Sequence, residues 1–186
     1  MRLIRWIVRT CFRISGWKIE SKIPPDLKKA VLIGVPHTSN WDLFYTLGLM
    51  FTLKLKFRFV IKKEALVFPL KNFLLALGAY PIDRSKVGAN SVQQIANVFN
   101  ENEECILCIA PEGTRKPVKE LKSGFIHIAK HAKVPIIVGY LDCSKKIVHV
   151  EDILNSNDSE NEIILKVKTI LKQAVAKKPE NFTLLD

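Results

Sequence analysis

The sequence predicts an α/β fold in which a mostly parallel central sheet is flanked by helices on both faces. The first observation is that continuous apolar runs, at 30–35, 105–110 and 135–141, alternate with segments of helical periodicity. Strands buried on both faces have such sequences, and they occur in parallel sheets covered by helices. The second observation is that 186 residues, 48% of them hydrophobic, suffice for one good core. We therefore predict a single α/β domain over residues 17–186, preceded by an N-terminal helix at 1–16.

The first 14 residues have the pattern of an amphipathic helix. At about 100° per residue, four arginines fall within an arc of roughly 80°, and the other side chains except Thr10 are apolar. Such a helix is about 21 Å long, shorter than a hydrocarbon core of roughly 30 Å, so it should lie in the membrane interface. The residues expected to contact an anionic membrane surface are Arg2, Arg5, Trp6, Arg9, Phe12 and Arg13. The alternative is a helix packed on the protein's own core, with its arginine face in solvent.

The remaining elements follow from apolar runs, helical spacing and turn residues. Strands are predicted near 30–35, 57–61, 105–110, 135–141 and 147–150, with one more within 78–84 that leads into a loop. Helices are predicted from Trp41 to about Phe51, in short pieces within 65–77, and at 92–99, 121–132 and 163–175. In this fold class the loops at the carboxyl ends of strands form the site, so the polar motifs after the strands should meet.

The charge balance indicates a polyanionic partner. Lys and Arg exceed Asp and Glu by 29 to 18, a net charge of +11, which suits nucleic acid, anionic lipid or a phosphate-bearing substrate. The N-terminus lacks the cleavage site of a signal peptide, and no apolar stretch reaches the roughly 18 residues of a membrane span. Four scattered cysteines suggest a reducing compartment, with Cys105 and Cys108 in the core rather than in a redox or metal site. We expect a peripheral or monotopic protein at the cytoplasmic face of a membrane.

His37 and Asp42 are the first candidates for chemistry, in the stretch V-P-H-T-S-N-W-D that joins a buried strand to a helix. Residues five apart cannot meet within one regular strand or helix, so the pair requires a turn. Pro36 resists helix entry, and Ser39 or Asn40 is a good N-cap for a helix that begins near Trp41. This geometry predicts a histidine oriented by a carboxylate, which is the core of a general base.

Charged residues and a glycine follow two other predicted strands, those within 78–84 and at 105–110. Arg84 and Arg115 offer bidentate phosphate recognition, and Gly113 lets a ligand approach the backbone between Glu112 and Thr114. No G-x-S-x-G elbow or plausible catalytic cysteine accompanies His37, so it should act on a substrate hydroxyl or on water. The His127 and His131 pair lacks the further ligands of a metal site, and no nucleotide-binding glycine motif is present. We expect neither metal nor cofactor.

Four ordered blocks give the sequence a family resemblance. They are H-T-S-N-W-D at 37–42, G-x-x-P-I-D-R at 78–84, P-E-G-T-R at 111–115 and V-P-I-I at 134–137. Together they resemble the glycerolipid acyltransferase family over residues 30–142. The resemblance implies acyl transfer from acyl-CoA or acyl carrier protein to the hydroxyl of a lysophospholipid-type acceptor such as 1-acylglycerol-3-phosphate. It also implies that His37 is the base and Asp42 its orienter. The residues it implies for acceptor binding are Arg84, Glu112, Gly113, Thr114 and Arg115.

The departures from the family pattern leave alternatives open. Ala110 stands where the third block commonly has Phe, and Val138 stands where the fourth often has a second Pro. These changes hardly affect the expected chemistry, but they leave the identity of the acceptor open. The same acyl transfer to a non-glycerophosphate acceptor is therefore one alternative. A non-catalytic peripheral membrane protein that binds anionic lipid is another. Nucleic-acid binding is disfavoured, because the basic residues are interleaved with aliphatic ones.

Overall fold

A computed structural model describes residues 2–82 and 89–182, which form an α/β fold around one sheet. The α-helices are α1 (Arg2–Ile14), α2 (Trp41–Thr52), α3 (Leu70–Ala76), α4 (Ala89–Ala96), α5 (Gly124–Ala132) and α6 (Glu160–Leu171). The strands are β1 (Lys18–Ser21), β2 (Lys29–Val35), β3 (Phe57–Lys62), β4 (Ala79–Ile82), β5 (Cys105–Ile109), β6 (Ile136–Asp142) and β7 (Ile147–Leu154). Short 3₁₀ turns lie at Lys63–Ala65, Asn97–Phe99 and Pro179–Asn181.

The sheet has the order β1-β7-β6-β2-β5-β3-β4. β2 is parallel to both of its neighbours, with Ile33 opposite Ile109 of β5 and Val35 opposite Tyr140 of β6. β3 continues the parallel arrangement between β5 and β4. β7 runs antiparallel to β6 and carries β1 at the edge. The prediction of a mostly parallel sheet is confirmed, and the carboxyl ends of β2 to β6 lie at one edge.

Helices cover both faces of the sheet. Val31 and Ile33 of β2 join Phe125 of α5 and Ile163 of α6 in one cluster of buried side chains. The alternate position Leu32 joins a second cluster on the other face, with α1 and α2. Alternation along a buried strand places neighbouring side chains on opposite faces, which explains why β2 is apolar throughout.

Some predicted boundaries differ from the structure. Strand β1 was not predicted, because K-I-E-S has no apolar pattern and the strand lies exposed at the sheet edge. Strand β7 runs on to Leu154, past the predicted end at residue 150. Helix α6 ends at Leu171, whereas its apolar spacing continues to Val175. Val175 lies beyond the end of the helix and forms an isolated parallel β-bridge with Asp142, the last residue of β6.

Helix α1 packs against α2 along one side. Phe12 is 1% exposed, and its ring lies 6.0 Å from that of Phe44 in α2. The prediction that Phe12 inserts into a membrane is therefore wrong for this structure, because α2 already covers its ring. A different side of α1 exposes Leu3, Trp6, Ile7 and Ile14. Among the helices that the structure describes, none is both long and apolar enough to cross a bilayer.

Candidate active site

A tight turn between β2 and α2 brings His37 and Asp42 together. Nδ1 of His37 lies 3.1 Å from Oδ2 of Asp42. This confirms the prediction that the two residues meet across a turn. A carboxylate at this distance favours a proton on Nδ1, which leaves Nε2 as the acceptor nitrogen. The His37 side chain remains partly exposed, whereas Asp42 is buried.

Asp42 is held in place by the turn itself. Its Oδ2 accepts a hydrogen bond from the Ser39 amide at 2.8 Å, and its Oδ1 accepts one from the Ser39 hydroxyl at 3.2 Å. Asp42 also lies in the first turn of α2, where the helix dipole favours a negative charge. Asn40 precedes the helix without a side-chain cap, but the Ser39 hydroxyl accepts a bond from the Trp41 amide at 3.1 Å. Ser39 is therefore the polar residue that both starts the helix and fixes the carboxylate.

Glu112 connects the end of β5 to the histidine turn. Its Oε2 accepts a hydrogen bond from the His37 backbone amide at 2.8 Å. Glu112 is only 5% exposed, and this burial, with a smaller effect from the charge of Asp42, raises the pKa of its carboxyl to about 7. The His37 amide and ring act in the opposite direction. Glu112 thus holds the backbone of His37, whereas we predicted that it contacts the acceptor.

An apolar cavity of about 220 Å³ opens beside His37 and Asp42. It lies between α2 and the sheet, with walls formed by Tyr45 and Leu49 of α2 and by Phe59 of β3. Gly34 and Gly139 face each other across β2 and β6 and also line it. A Cβ added at Gly34 would meet no atom within 4 Å. The missing side chain at Gly34 therefore leaves room in the centre of the sheet.

Cys108, in the wall of this cavity, and Cys105, at the other end of β5, both have thiols whose pKa is raised by burial. Cys108 lines the wall, and burial raises the pKa of its thiol far above the usual range. Burial also raises the pKa of Cys105 to about 11. A thiol attacks a carbonyl as the thiolate, so neither residue is a plausible nucleophile. The predicted core position of both cysteines is consistent with this environment.

The other predicted binding residues occupy different positions around the turn. Gly113 lines the cavity and has a φ of +67°, a backbone conformation that favours glycine. Thr114 and Arg115 are exposed and do not line the cavity. Arg84 lies outside the described residues, so its predicted role stays a prediction.

Lys122 also belongs to this region, although it was not among the predicted site residues. Its Nζ would lie 3.1 Å from a Cβ at Gly113, and its amide donates to the Pro111 carbonyl at 3.0 Å. The loop from 111 to 122 folds back on itself to bring this ammonium over Gly113. The motif at 111–115 predicted a site in this loop, but Lys122 lies outside that motif and has no sequence signal of its own.

Residues 18–140 match the family model described as Acyltransferase, which covers more than half of the chain. This chain belongs to the acyltransferase family. The matched segment of the chain begins after α1 and includes His37, Asp42 and the loop that begins at Pro111. The predicted resemblance to glycerolipid acyltransferases is confirmed by three relatives that carry the same name.

Each of these relatives is a 1-acyl-sn-glycerol-3-phosphate acyltransferase. The protein from Streptococcus pneumoniae is 32% identical over 118 residues, which cover 62% of this chain and 42% of the relative. The protein from Cocos nucifera is 30% identical over 142 residues, 73% of this chain and 42% of the relative. The protein from Bacillus subtilis is 31% identical over 127 residues, 66% of this chain and 61% of the relative. This chain thus aligns with about half the length of these relatives.

Proposed function

We propose that this protein transfers a fatty acyl group from acyl-CoA or acyl carrier protein to the hydroxyl of a lysophospholipid-type acceptor such as 1-acylglycerol-3-phosphate. The observation that carries the proposal is the 3.1 Å contact between His37 and Asp42 at the wall of an apolar cavity. The family match and the names of the three relatives support the reaction class. No metal or cofactor is part of the proposed reaction.

The proposed mechanism is general-base catalysis. Nε2 of His37 removes the proton of the acceptor hydroxyl while that oxygen attacks the thioester carbonyl. A carbon–oxygen bond forms, the carbon–sulfur bond breaks, and the thiol leaves with a proton returned by the imidazolium. Asp42 accepts the Nδ1 proton in a hydrogen bond and stabilises the imidazolium. Glu112 accepts the hydrogen bond of the His37 backbone amide and so fixes the position of the histidine. Base catalysis of this kind is typically worth about 10² to 10⁴-fold in rate.

The cavity supports an apolar substrate. Its lining includes Leu49, Phe59 and Ile109, and it runs from the histidine turn into the space above Gly34. In the proposed complex the acyl chain of the donor lies in this cavity, with its carbonyl carbon near His37. Burial of the chain provides binding energy in proportion to the apolar area removed from water.

The acceptor binds on the exposed side of the histidine. The loop that begins at Pro111 carries Thr114, Arg115 and Lys122, and the last two are exposed cations. In the proposal, Arg115 and Arg84 hold the acceptor phosphate, because a guanidinium suits bidentate recognition of phosphate. Gly113 lets this loop approach the acceptor closely.

Membrane association at the cytoplasmic face is also part of the proposal. Around α1, the side that packs on α2 is followed by the arginines and then by exposed Leu3, Ile7 and Ile14. These three side chains lie within an arc of about 40° on a helical wheel, well separated from Phe12. An exposed apolar stripe beside arginines suits the interface of an anionic membrane.

The test is mass spectrometry of the products formed by the purified chain. Lysophosphatidic acid, other lysophospholipids and polar alcohols are offered with acyl-CoA and with acyl carrier protein thioesters. We expect an acylated lysolipid from the intact chain and at least a 10²-fold loss in His37→Ala. His131→Ala, which removes an exposed histidine from α5, is the matched control and should keep full turnover. No acylated product from any pair, or full turnover by His37→Ala, would contradict the proposal.

A further inference from the structure

The segment from Ala65 to Ala76 exposes more apolar surface than a protein in water normally leaves uncovered. Phe68 is 93% exposed, and Val67, Leu70, Phe73 and Leu75 are exposed as well. Within this segment Lys71 is the only charged residue. Single exposed apolar residues are ordinary, but five large ones within nine residues form a patch that indicates a binding surface. From this segment we infer a second membrane-inserting element, hereafter the 65–76 wedge.

Charge around the wedge matches an anionic bilayer. Lys62 and Lys63 precede it, Lys71 lies within it, and all three are exposed. Glu64 is the single acidic neighbour between them. Lysines beside exposed aromatic and aliphatic side chains place ammonium groups at the headgroups while the apolar tips enter the acyl region. This complementarity favours anionic lipid over a second copy of the chain, which carries the same net charge of +11.

The wedge adjoins α1, the helix proposed above to lie on the membrane. Arg5 of α1 and Leu77 at the end of α3 line the same cavity of about 110 Å³. The Arg5 guanidinium lies 5.6 Å from the ring centroid of Phe51, which also lines that cavity. Helix α1 and the end of the wedge therefore border the same cavity, which the cations Lys56 and Arg58 also line.

The wedge also begins at the edge of the sheet that carries His37. Strand β3 is parallel to β5 and ends at Lys62, so its end lies at the same edge as the ends of β2 and β5. The exposed ring of Phe68 follows six residues later. Insertion there places the acyl region of the bilayer next to the active-site edge, where a lipid acceptor arrives. The inference rests on the proposed membrane association and is independent of the acyl-transfer chemistry.

Vesicle flotation of surface variants is the first test. The double variant Phe68→Ser with Phe73→Ser removes the two aromatic tips, and Ile153→Ser with Leu165→Ser removes two exposed aliphatic side chains elsewhere as the matched control. With vesicles of phosphatidylglycerol and phosphatidylcholine in equal parts, we expect the wedge variant to bind at least about tenfold more weakly, because two apolar side chains no longer insert. The control should bind like the intact chain. Equal binding by both variants would overturn the inference.

A depth measurement separates insertion from mere proximity. Phe68→Trp is placed in a chain in which Trp6 and Trp41 are changed to Phe, with half-buried Trp17 as a constant reference. On vesicles whose phosphatidylcholine carries bromine on the acyl chains, we expect quenching of the emission from the tryptophan introduced at position 68. Absence of quenching in vesicle-bound protein would overturn the wedge while leaving α1 attachment intact.

A concentration-dependent dimer that disappears in the wedge variant, with unchanged flotation, would also overturn the inference. Both readouts are independent of acyl transfer, so they separate this inference from the proposed reaction.

Discussion

The ring of Phe12 in α1 lies directly against Gly48 in α2. A Cβ added at Gly48 would lie 2.1 Å from Cδ2 of Phe12 and 2.6 Å from Cε2. No side chain fits there, so the absence of one at Gly48 is what allows α1 to approach α2 this closely. The N-terminal helix is thus part of the packed structure on one side and carries its exposed apolar stripe on another. Removal of residues 1–14 would also remove the buried Phe12 side chain from the core. Substitutions on the exposed stripe are therefore the better probe of membrane attachment.

Gly48→Ala should loosen α1 and destabilise the protein. The new methyl group forces the Phe12 ring to move, and overpacking of this kind costs about 1 to 3 kcal/mol in free energy of unfolding, partly offset by better helix propensity. Gly124→Ala is the matched control, because a Cβ there meets no atom within 4 Å. Chemical denaturation should show a lower midpoint for Gly48→Ala and none of this loss for Gly124→Ala. A midpoint unchanged at Gly48 would contradict the packing.

Asp42→Asn should lower kcat with little change in substrate KM. An amide in place of the carboxylate can donate to Nδ1 of His37, which leaves Nε2 protonated and unable to accept the hydroxyl proton. We expect a loss of about 10²-fold or more in kcat. Ser39→Ala should cost less, because Asp42 keeps its 2.8 Å bond from the Ser39 amide. Steady-state kinetics with a saturating donor measure both, and wild-type kcat in Asp42→Asn would exclude the assigned role.

The site could be predicted from the sequence at positions where local chemistry restricts the backbone. His37 and Asp42 could be assigned to a turn because Pro36 and the five-residue spacing exclude regular structure. The position of Phe12 could not be predicted in the same way. On a helical wheel an apolar side chain that faces α2 looks the same as one that faces lipid, since both environments are apolar.

Features that depend on strand pairing or on the path of a loop could not be predicted from the sequence. Gly34 and Gly139 are 105 residues apart and form the cavity floor only because β2 and β6 pair in that register. Lys122 reaches Gly113 through the fold of a loop without regular structure. Edge strand β1 has no apolar pattern, and its pairing with β7 could not be predicted from its own four residues. In each case the information lies in the register or the loop path rather than in local composition.

Substitutions at Gly34 should shorten the acyl chain that the cavity accepts. The series Gly34→Ala, Gly34→Val and Gly34→Leu fills open space by steps, because a Cβ there meets no atom within 4 Å. We expect kcat/KM for long-chain donors to fall by about tenfold or more at Leu relative to short-chain donors, with smaller losses at Val and Ala. Competition between donors of different length measures this preference. An unchanged preference across a folded series would show that the acyl chain lies elsewhere.

Arg115→Ala should weaken binding of a phosphorylated acceptor. Loss of a guanidinium that pairs with phosphate should raise the acceptor KM by about tenfold while kcat changes little. An acceptor without phosphate, such as a monoacylglycerol, should be affected much less. Lys172→Ala removes an exposed cation from the end of α6 and is the matched control. The same KM in Arg115→Ala and the intact chain would remove Arg115 from the acceptor site.

Glu112→Gln should change how stability depends on pH. The pKa of the Glu112 carboxyl is raised from 4.5 to about 7 by burial, so between these values the folded chain binds more protons than the unfolded chain. The stability that this group contributes is fully present below about pH 4.5 and is lost as pH rises through about 7. Glutamine can still accept the His37 amide bond but has no carboxyl to ionise.

Between about pH 5 and about pH 8 we expect the variant to gain on the order of 2 kcal/mol in free energy of unfolding relative to the intact chain. Denaturant titrations at both pH values measure this difference, and Glu120→Gln, at an exposed position of the same loop, should show none of it. Parallel pH dependence in Glu112→Gln and the intact chain would mean that Glu112 is ionised at both pH values.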